Sequence, residues 1–161
     1  MATLWDELLF MTQQLRGRVL DAGCGPGVYS KRLHEILGIT EVISFDIQPP
    51  DTDYNGQRFC DLCPSGTFVQ GDLEDMHMFS RATYDAVFAW QVLEHTANPL
   101  QALREMRRVL KSGGLFAVSE LFPDPDYPWK STTVKLGNGA GFVVNKVSGN
   151  FFNYTVRFRK P

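Results

Sequence analysis

The sequence has few cysteines, no long apolar run and no large excess of either charge. Three cysteines are an odd number, which argues against a disulfide framework and for a reducing compartment. No stretch approaches the roughly 20 apolar residues that span a bilayer. The opening MATLWDELLFMTQQL lacks both the basic start and the cleavage site of a secretory signal. Together these absences predict a cytoplasmic protein with no membrane partner. Sixteen Lys and Arg against eighteen Asp and Glu leave a net charge of −2, so no global positive field recruits nucleic acid. There is also no internal repeat and no low-complexity tract. The 161 residues suit a single domain, 1–161, with one sizeable core.

What is present is an alternation of short apolar strands and amphipathic helices. Residues 3–14 read as a helix with Leu4, Leu8, Leu9 and Met11 at helical spacing, and 17–22 as a first strand. VYSKRLHEIL then places Tyr29, Leu33, Ile36 and Leu37 on one helical face, with Gly38 as the stop. Strands follow at 41–47, 67–72, 84–90 and 115–121. In the stretch 48–66, Pro49, Pro50, Asn55-Gly56, Pro64 and Gly66 predict loops where an alternating fold would carry a helix. Asn98 caps a helix that accepts Pro99 in its first turn. On it Leu100, Leu103, Met106, Val109 and Leu110 face inward, while Arg104, Glu105, Arg108 and Lys111 face solvent. After the fifth strand the chain is mostly irregular, with at best one short helix, and it closes with two strands joined by a Gly-Asn turn. The expected class is α/β: a doubly wound, mostly parallel sheet with an antiparallel C-terminal hairpin.

The first strand hands over to its helix through VLDAGCGPGVYS. Glycines there let the backbone approach a ligand and take φ > 0 without a Cβ clash, and in an open α/β sheet ligands bind at the carboxyl ends of the strands. The nicotinamide fingerprint is not met: counting from Gly23, its third glycine falls on Val28. No Lys-Ser or Lys-Thr pair follows either, which excludes a P-loop.

DAGCGPG resembles the first motif of the class I S-adenosylmethionine-dependent methyltransferases, and more narrowly the small type 11 group. The resemblance extends over almost the whole chain. YDAVFAWQVLEHTANPLQALREMRRVLKSGGLFAV is similar to that group's fourth-strand stretch, with Ser112 where proline is usual. The resemblance implies a Rossmann-like methyltransferase fold of seven strands, with S-adenosylmethionine as cofactor. It also implies that Asp21, Gly23, Cys24, Gly25 and Gly27 wrap the methionine end. Asp46, 25 residues after Asp21, closes the second strand in SFDIQP and takes the ribose hydroxyls. A carboxylate suits that task because it accepts two hydrogen bonds at once. Asp72 in VQGDLED takes the adenine amine, with Ile47 and Leu73 against the ring faces, and Gln91 joins the cofactor-binding set.

A sulfonium is already a good leaving group, so transfer needs chiefly a nucleophile aimed at the methyl carbon. His95 is the candidate base, and the bland reading is that it packs over the cofactor or braces its loop. Glu94 positions the cofactor's amine or holds the loop. Related metal-dependent enzymes carry E-x-x-E-H here, but this chain has Gln91-x-x-Glu94-His95, and an amide adds no charge, so a metal is disfavoured. Cys60 and Cys63 supply two ligands where structural zinc wants four, and they read as ordinary thiols. His34 and His77 carry no hypothesis. The Arg104–Lys111 face reads as solvated and the aromatic ending (Phe151, Phe152, Tyr154, Phe158) as core, which disfavours nucleic acid.

The short segment before the glycine loop and the loop-like 48–66 leave little material for a substrate lid. The crevice is then open, or a second subunit of a homodimer completes it. Trp90, Tyr127 and Trp129 are candidate wall residues, though on general grounds each reads first as core. The acceptor stays unidentified, a small molecule being favoured. The rival reading is a catalytically silent scaffold of the same fold acting through a partner.

Overall fold

The computed structural model describes residues 12–121 and 128–161. The N-terminal helix expected from Leu4, Leu8, Leu9 and Met11, and the candidate wall residue Tyr127, lie outside the described residues. In chain order the elements are β1 (Gly17–Ala22), α1 (Val28–Leu33), β2 (Ile39–Asp46), α2 (Phe59–Leu62), β3 (Thr67–Gln70), β4 (Tyr84–Trp90), a 3₁₀ turn (Leu93–His95), α3 (Pro99–Val109), β5 (Leu110–Leu121), α4 (Lys130–Gly139), β6 (Val143–Gly149) and β7 (Asn153–Arg159).

The strands form one sheet in the order β3-β2-β1-β4-β5-β7-β6. Pairing is parallel from β3 to β5, and β7 lies antiparallel between β5 and β6. This is the expected doubly wound sheet with its antiparallel ending. Successive strand residues serve opposite faces, as pleating requires. Val19 and Phe88 pack with Leu15, Leu33 and Ala117 on one side, whereas Leu20, Val87, Phe116 and Phe158 pack with Leu103 and Met106 of α3 on the other. The chain leaves β1 toward β2 on one side and returns through β4 on the other, so the strand order reverses between β1 and β4. A crevice opens at their carboxyl ends, as it does at such reversals generally.

Several local expectations need correction. α1 stops at Leu33, and after His34 the amides bond only three residues back (Glu35 to Arg32, Ile36 to Leu33). This tighter turn rotates Leu37 off the buried face and leaves it 94% exposed. On α3, Glu105 and Arg108 are turned inward, because Arg108 donates to the carbonyls of Met76 and Phe79 while Glu105 accepts the Met76 amide. A full helix, α4, stands where at best a short one was expected. A Cβ at its Gly137 would overlap the Phe158 ring, so this glycine lets the helix lie on β7. No helix among the described residues is long and apolar enough to cross a membrane.

Candidate active site

The glycine loop leaves β1 in strand-like pairing, with the Gly23 and Cys24 amides both donating to the Phe45 carbonyl at 2.7 and 3.0 Å. Its three glycines then do different work. Gly23 (φ +74) has no room for a side chain, since a Cβ would lie 2.7 Å from Val92 Cγ2. Gly25 (φ +51) faces open space, with nothing within 4 Å of its Cβ position. That is the cradle an incoming ligand would occupy. Gly27 (φ +86) differs again. It does not line the crevice, and a Cβ there would lie 2.6 Å from Phe59 Cδ2. Its smallness lets α2 close onto the loop, where Cys63 Sγ meets the Gly27 carbonyl at 3.4 Å. Gly27, expected to wrap the cofactor, is packed against α2 and is not among the crevice-lining residues.

The crevice holds about 820 Å³. Asp21, Gly23, Cys24, Gly25, Asp46, Ile47, Asp72, Leu73, Gln91 and His95 all line it. Tyr29, Gln48, Tyr54, Glu74 and Thr96 also line it and were not foreseen. Tyr54 has a legible origin. The amides and carbonyls of Tyr54 and Gln57 bond reciprocally at 2.8 and 3.1 Å around Asn55 (φ 54) and Gly56 (φ 85). Asn-Gly with positive φ at both positions is a hairpin turn signal, and here it folds part of the 48–66 stretch so that an aromatic ring faces the crevice.

Charge is concentrated at one end of the site. Asp46 Oδ2 accepts the Gly25 amide at 2.8 Å and Oδ1 accepts the Gln48 amide at 2.9 Å. Asp21 is buried and accepts from Ser30 Oγ, which in turn accepts from Ser44 Oγ at 2.8 Å. Burial, and to a lesser degree the Asp46 charge, pushes the Asp21 carboxyl up to about 7 against the Ser30 hydrogen bond. The Cys24 thiol is pushed far up by burial and then by Asp21 and Asp46, so it stays protonated and is no nucleophile. Asp72 is exposed on the turn after β3, its Oδ1 held by the Glu74 amide at 2.8 Å. Ile47 is 59% exposed, an apolar surface facing the crevice.

On the opposite wall, Gln91 takes φ +49, a strained conformation for a non-glycine residue. Its amide donates to Ser119 and its side-chain carbonyl accepts the Trp90 indole N–H at 3.0 Å. The Trp90 ring lies 4.7 Å from that of Tyr29, which places Trp90 in the crevice wall. Trp129 does not line the crevice. His95 is exposed at the lip, with Nε2 3.5 Å from Glu94 Oε1. Glu94 turns away from the crevice, its side chain only 1% exposed. It meets Glu120, fully buried at the end of β5, which accepts the Leu93 amide at 3.2 Å. Burial, then the hydrogen bond and charge of Glu94, holds the Glu120 carboxyl well above the usual range. Oε2 of each glutamate is buried without a hydrogen-bond partner. A proton held on Glu120 lets its carboxyl donate to Glu94, a contact that two carboxylates cannot make. Cys63 is buried against the loop, and Cys60 is exposed.

The donor set therefore fits a cationic nucleoside: a carboxylate with free lone pairs on two anchored oxygens, a second buried carboxyl, an open backbone cradle and apolar surface beside them. Residues 20–118 match the family described as a methyltransferase domain. A tRNA U34 carboxymethyltransferase of Haemophilus influenzae is 31% identical over 130 residues, covering 76% of this chain and 38% of the relative. A malonyl-[acyl-carrier protein] O-methyltransferase of Legionella pneumophila is 28% identical over 121 residues, covering 75% and 42%. The chain thus spans less than half the length of these curated relatives. Among solved structures, an S-adenosylmethionine dependent methyltransferase from Mesorhizobium loti superposes with a TM-score of 0.78 at 18% identity, over 99% of this chain and 98% of that one. The chain belongs to the methyltransferase-domain family, whose cofactor is S-adenosylmethionine.

Proposed function

We propose that the protein transfers the methyl group of S-adenosylmethionine to an O, N or C nucleophile brought to the mouth of the crevice. The observation that carries this reading is the Gly25–Asp46 arrangement: an open cradle tied directly to a carboxylate with acceptor capacity left on both oxygens. Asp46 accepts the two ribose hydroxyls, and Asp72 accepts the adenine amine. Ile47 and Leu73 cover the faces of the base, which removes the exposed Ile47 surface from water. Asp21 balances the positive charge at the methionine end. The bound cofactor supplies a methyl group activated by a sulfonium.

His95 stands at the lip, where it takes a proton from an acceptor that must lose one. Tyr29, Trp90 and Tyr54 give the mouth an aromatic wall and help exclude water from the reacting pair. The relatives carry names that refer to tRNA and to an acyl-carrier protein, and an acceptor of either size requires a mouth open to bulk solvent.

The reading is tested by calorimetry with S-adenosylhomocysteine, followed by a methyl-transfer screen against small-molecule, acyl-carrier and RNA acceptors. Micromolar binding and turnover with any acceptor are expected. A folded protein that gives no heat of binding would overturn the reading.

A further inference from the structure

A second concavity, of about 260 Å³, lies at the other pole of the sheet, where the parallel strands begin. Arg81, Arg104, Arg107 and Arg108 line it, with Glu105 and Ala140 completing the wall. Three separate segments build it: the turn before β4, the C-terminal half of α3 and the residue after α4. Lys160, which follows β7, adjoins it. Its ammonium donates to the Leu110 carbonyl at 2.6 Å. Burial, then the charges of Arg107 and Arg81, holds it below the usual lysine range.

The charges here do not balance. Arg108 and Glu105 neutralise each other through two hydrogen bonds of 2.8 and 2.9 Å. Arg107 spends its Nε–H on the Gly141 carbonyl at 3.1 Å. Among the described residues, Arg81, Arg104, Arg107 and Lys160 have no carboxylate within ion-pair distance. The negative end of α3 accounts for cations in its last turn such as Arg107. It does not account for Arg104 in mid-helix, nor for Arg81 and Lys160 on other elements. The helix face that reads as solvated in sequence is in fact one side of a convergent cationic cluster, on a chain whose net charge is −2.

We infer that this concavity binds the phosphodiester backbone of a nucleic-acid strand, at a site separate from the methyl-transfer crevice. Guanidinium forks match phosphate oxygens bidentately. The lining holds no aromatic ring and no apolar side chain beyond Ala140, so a free nucleotide would have no contact for its base and a lipid headgroup no apolar surface for its chains. Backbone phosphates need neither. Such contacts position a strand without reading its sequence.

The test is fluorescence anisotropy with a labelled RNA hairpin and a matched DNA hairpin, using the full chain and an R81E/R104E variant. Both arginines are exposed and make no hydrogen bond that the fold depends on. Retention of the thermal shift given by S-adenosylhomocysteine certifies fold and crevice independently, and R81A/R104A serves if the charge reversal unfolds the protein. Wild type is expected to bind hairpin, with affinity falling roughly tenfold or more between about 50 and about 200 mM salt. The double variant is expected to lose about tenfold or more. Equal binding of RNA and DNA supports the inference, because the phosphates are common to both. It is overturned if wild type binds neither hairpin at low salt, if variant and wild type bind equally, or if phosphatidylglycerol vesicles bind while the hairpins do not.

Discussion

The Gly25 amide donates to Asp46 Oδ2 at 2.8 Å, so the carboxylate that closes β2 is fixed by the loop that follows β1. Removing the carboxylate deletes the proposed diol acceptor and also unpins the cradle. Asp46→Ala is expected to weaken S-adenosylhomocysteine binding by roughly 10–100-fold, as for loss of one or two hydrogen bonds to a charged group. Isothermal calorimetry reads this directly, and an unchanged Kd would remove Asp46 from the site.

Gly25 and Gly27 separate binding from stability. Gly25→Ala places its methyl in open space, so it costs about 1 kcal/mol of fold stability for the left-handed backbone while obstructing the cradle. Gly27→Ala meets Phe59 at 2.6 Å. It is expected to cost about 2–4 kcal/mol from backbone and overlap together. Denaturant melts and cofactor titrations on both variants should move in opposite proportion.

Asp21 makes cofactor affinity depend on pH. Its carboxyl is raised from the usual range to about 7, so much of it is protonated in the free protein at neutral pH. A cationic ligand favours the ionised form, and affinity for S-adenosylmethionine is expected to rise from about pH 6 to about pH 8. Asp21→Asn should flatten that rise. The comparison with S-adenosylhomocysteine, which lacks the sulfonium charge, should show a shallower slope.

Glu120 acts on stability in the other direction. Its folded-state value lies above the unfolded one, so its stabilising contribution is complete below about pH 4.5 and is lost as pH climbs through the raised value. Glu120→Gln can donate its amide N–H to Glu94 at any pH. Thermal melts at acidic and alkaline pH should show wild type losing more than the variant as pH rises. Parallel curves would mean that Glu120 does not hold a proton in the folded state.

His95 should separate chemistry from binding. With His95→Gln the methyl-transfer rate is expected to fall by roughly 10²-fold or more if the acceptor must lose a proton, with cofactor affinity changed less than about twofold. An equal loss in both would make His95 a packing residue.

Much of this molecule can be read in its sequence. The strand pattern follows from apolar periodicity, because such strands are buried on both faces, and the grouping of Asp21, Asp46, Asp72 and His95 around one crevice is what the resemblance to the methyltransferase motifs implies. What escapes the sequence depends on contacts distant along the chain. The packing of Phe59 against Gly27 and of Phe158 against Gly137 joins residues far apart along the chain. Arg108 looks solvated until the Met76 and Phe79 carbonyls reach it. Tyr54 is an intermediate case: Asn55-Gly56 marks a hairpin, but nothing local says that its ring ends at the crevice. The Glu94–Glu120 pair joins two strand ends 26 residues apart, and only the sheet order brings them together.

The position of β7 sets an order of assembly. Among the described residues Val143–Gly149 has a single partner in the sheet, and that partner is made after it. On a ribosome β6 therefore emerges with no edge to join, and it stays unpaired until Asn153–Arg159 has also cleared the exit tunnel. β6 enters the sheet only through β7, so the half of the sheet carrying Tyr154, Val156 and Phe158 matures after the parallel half. A translational pause between the two strands would hold an unpaired β6 exposed to neighbouring chains.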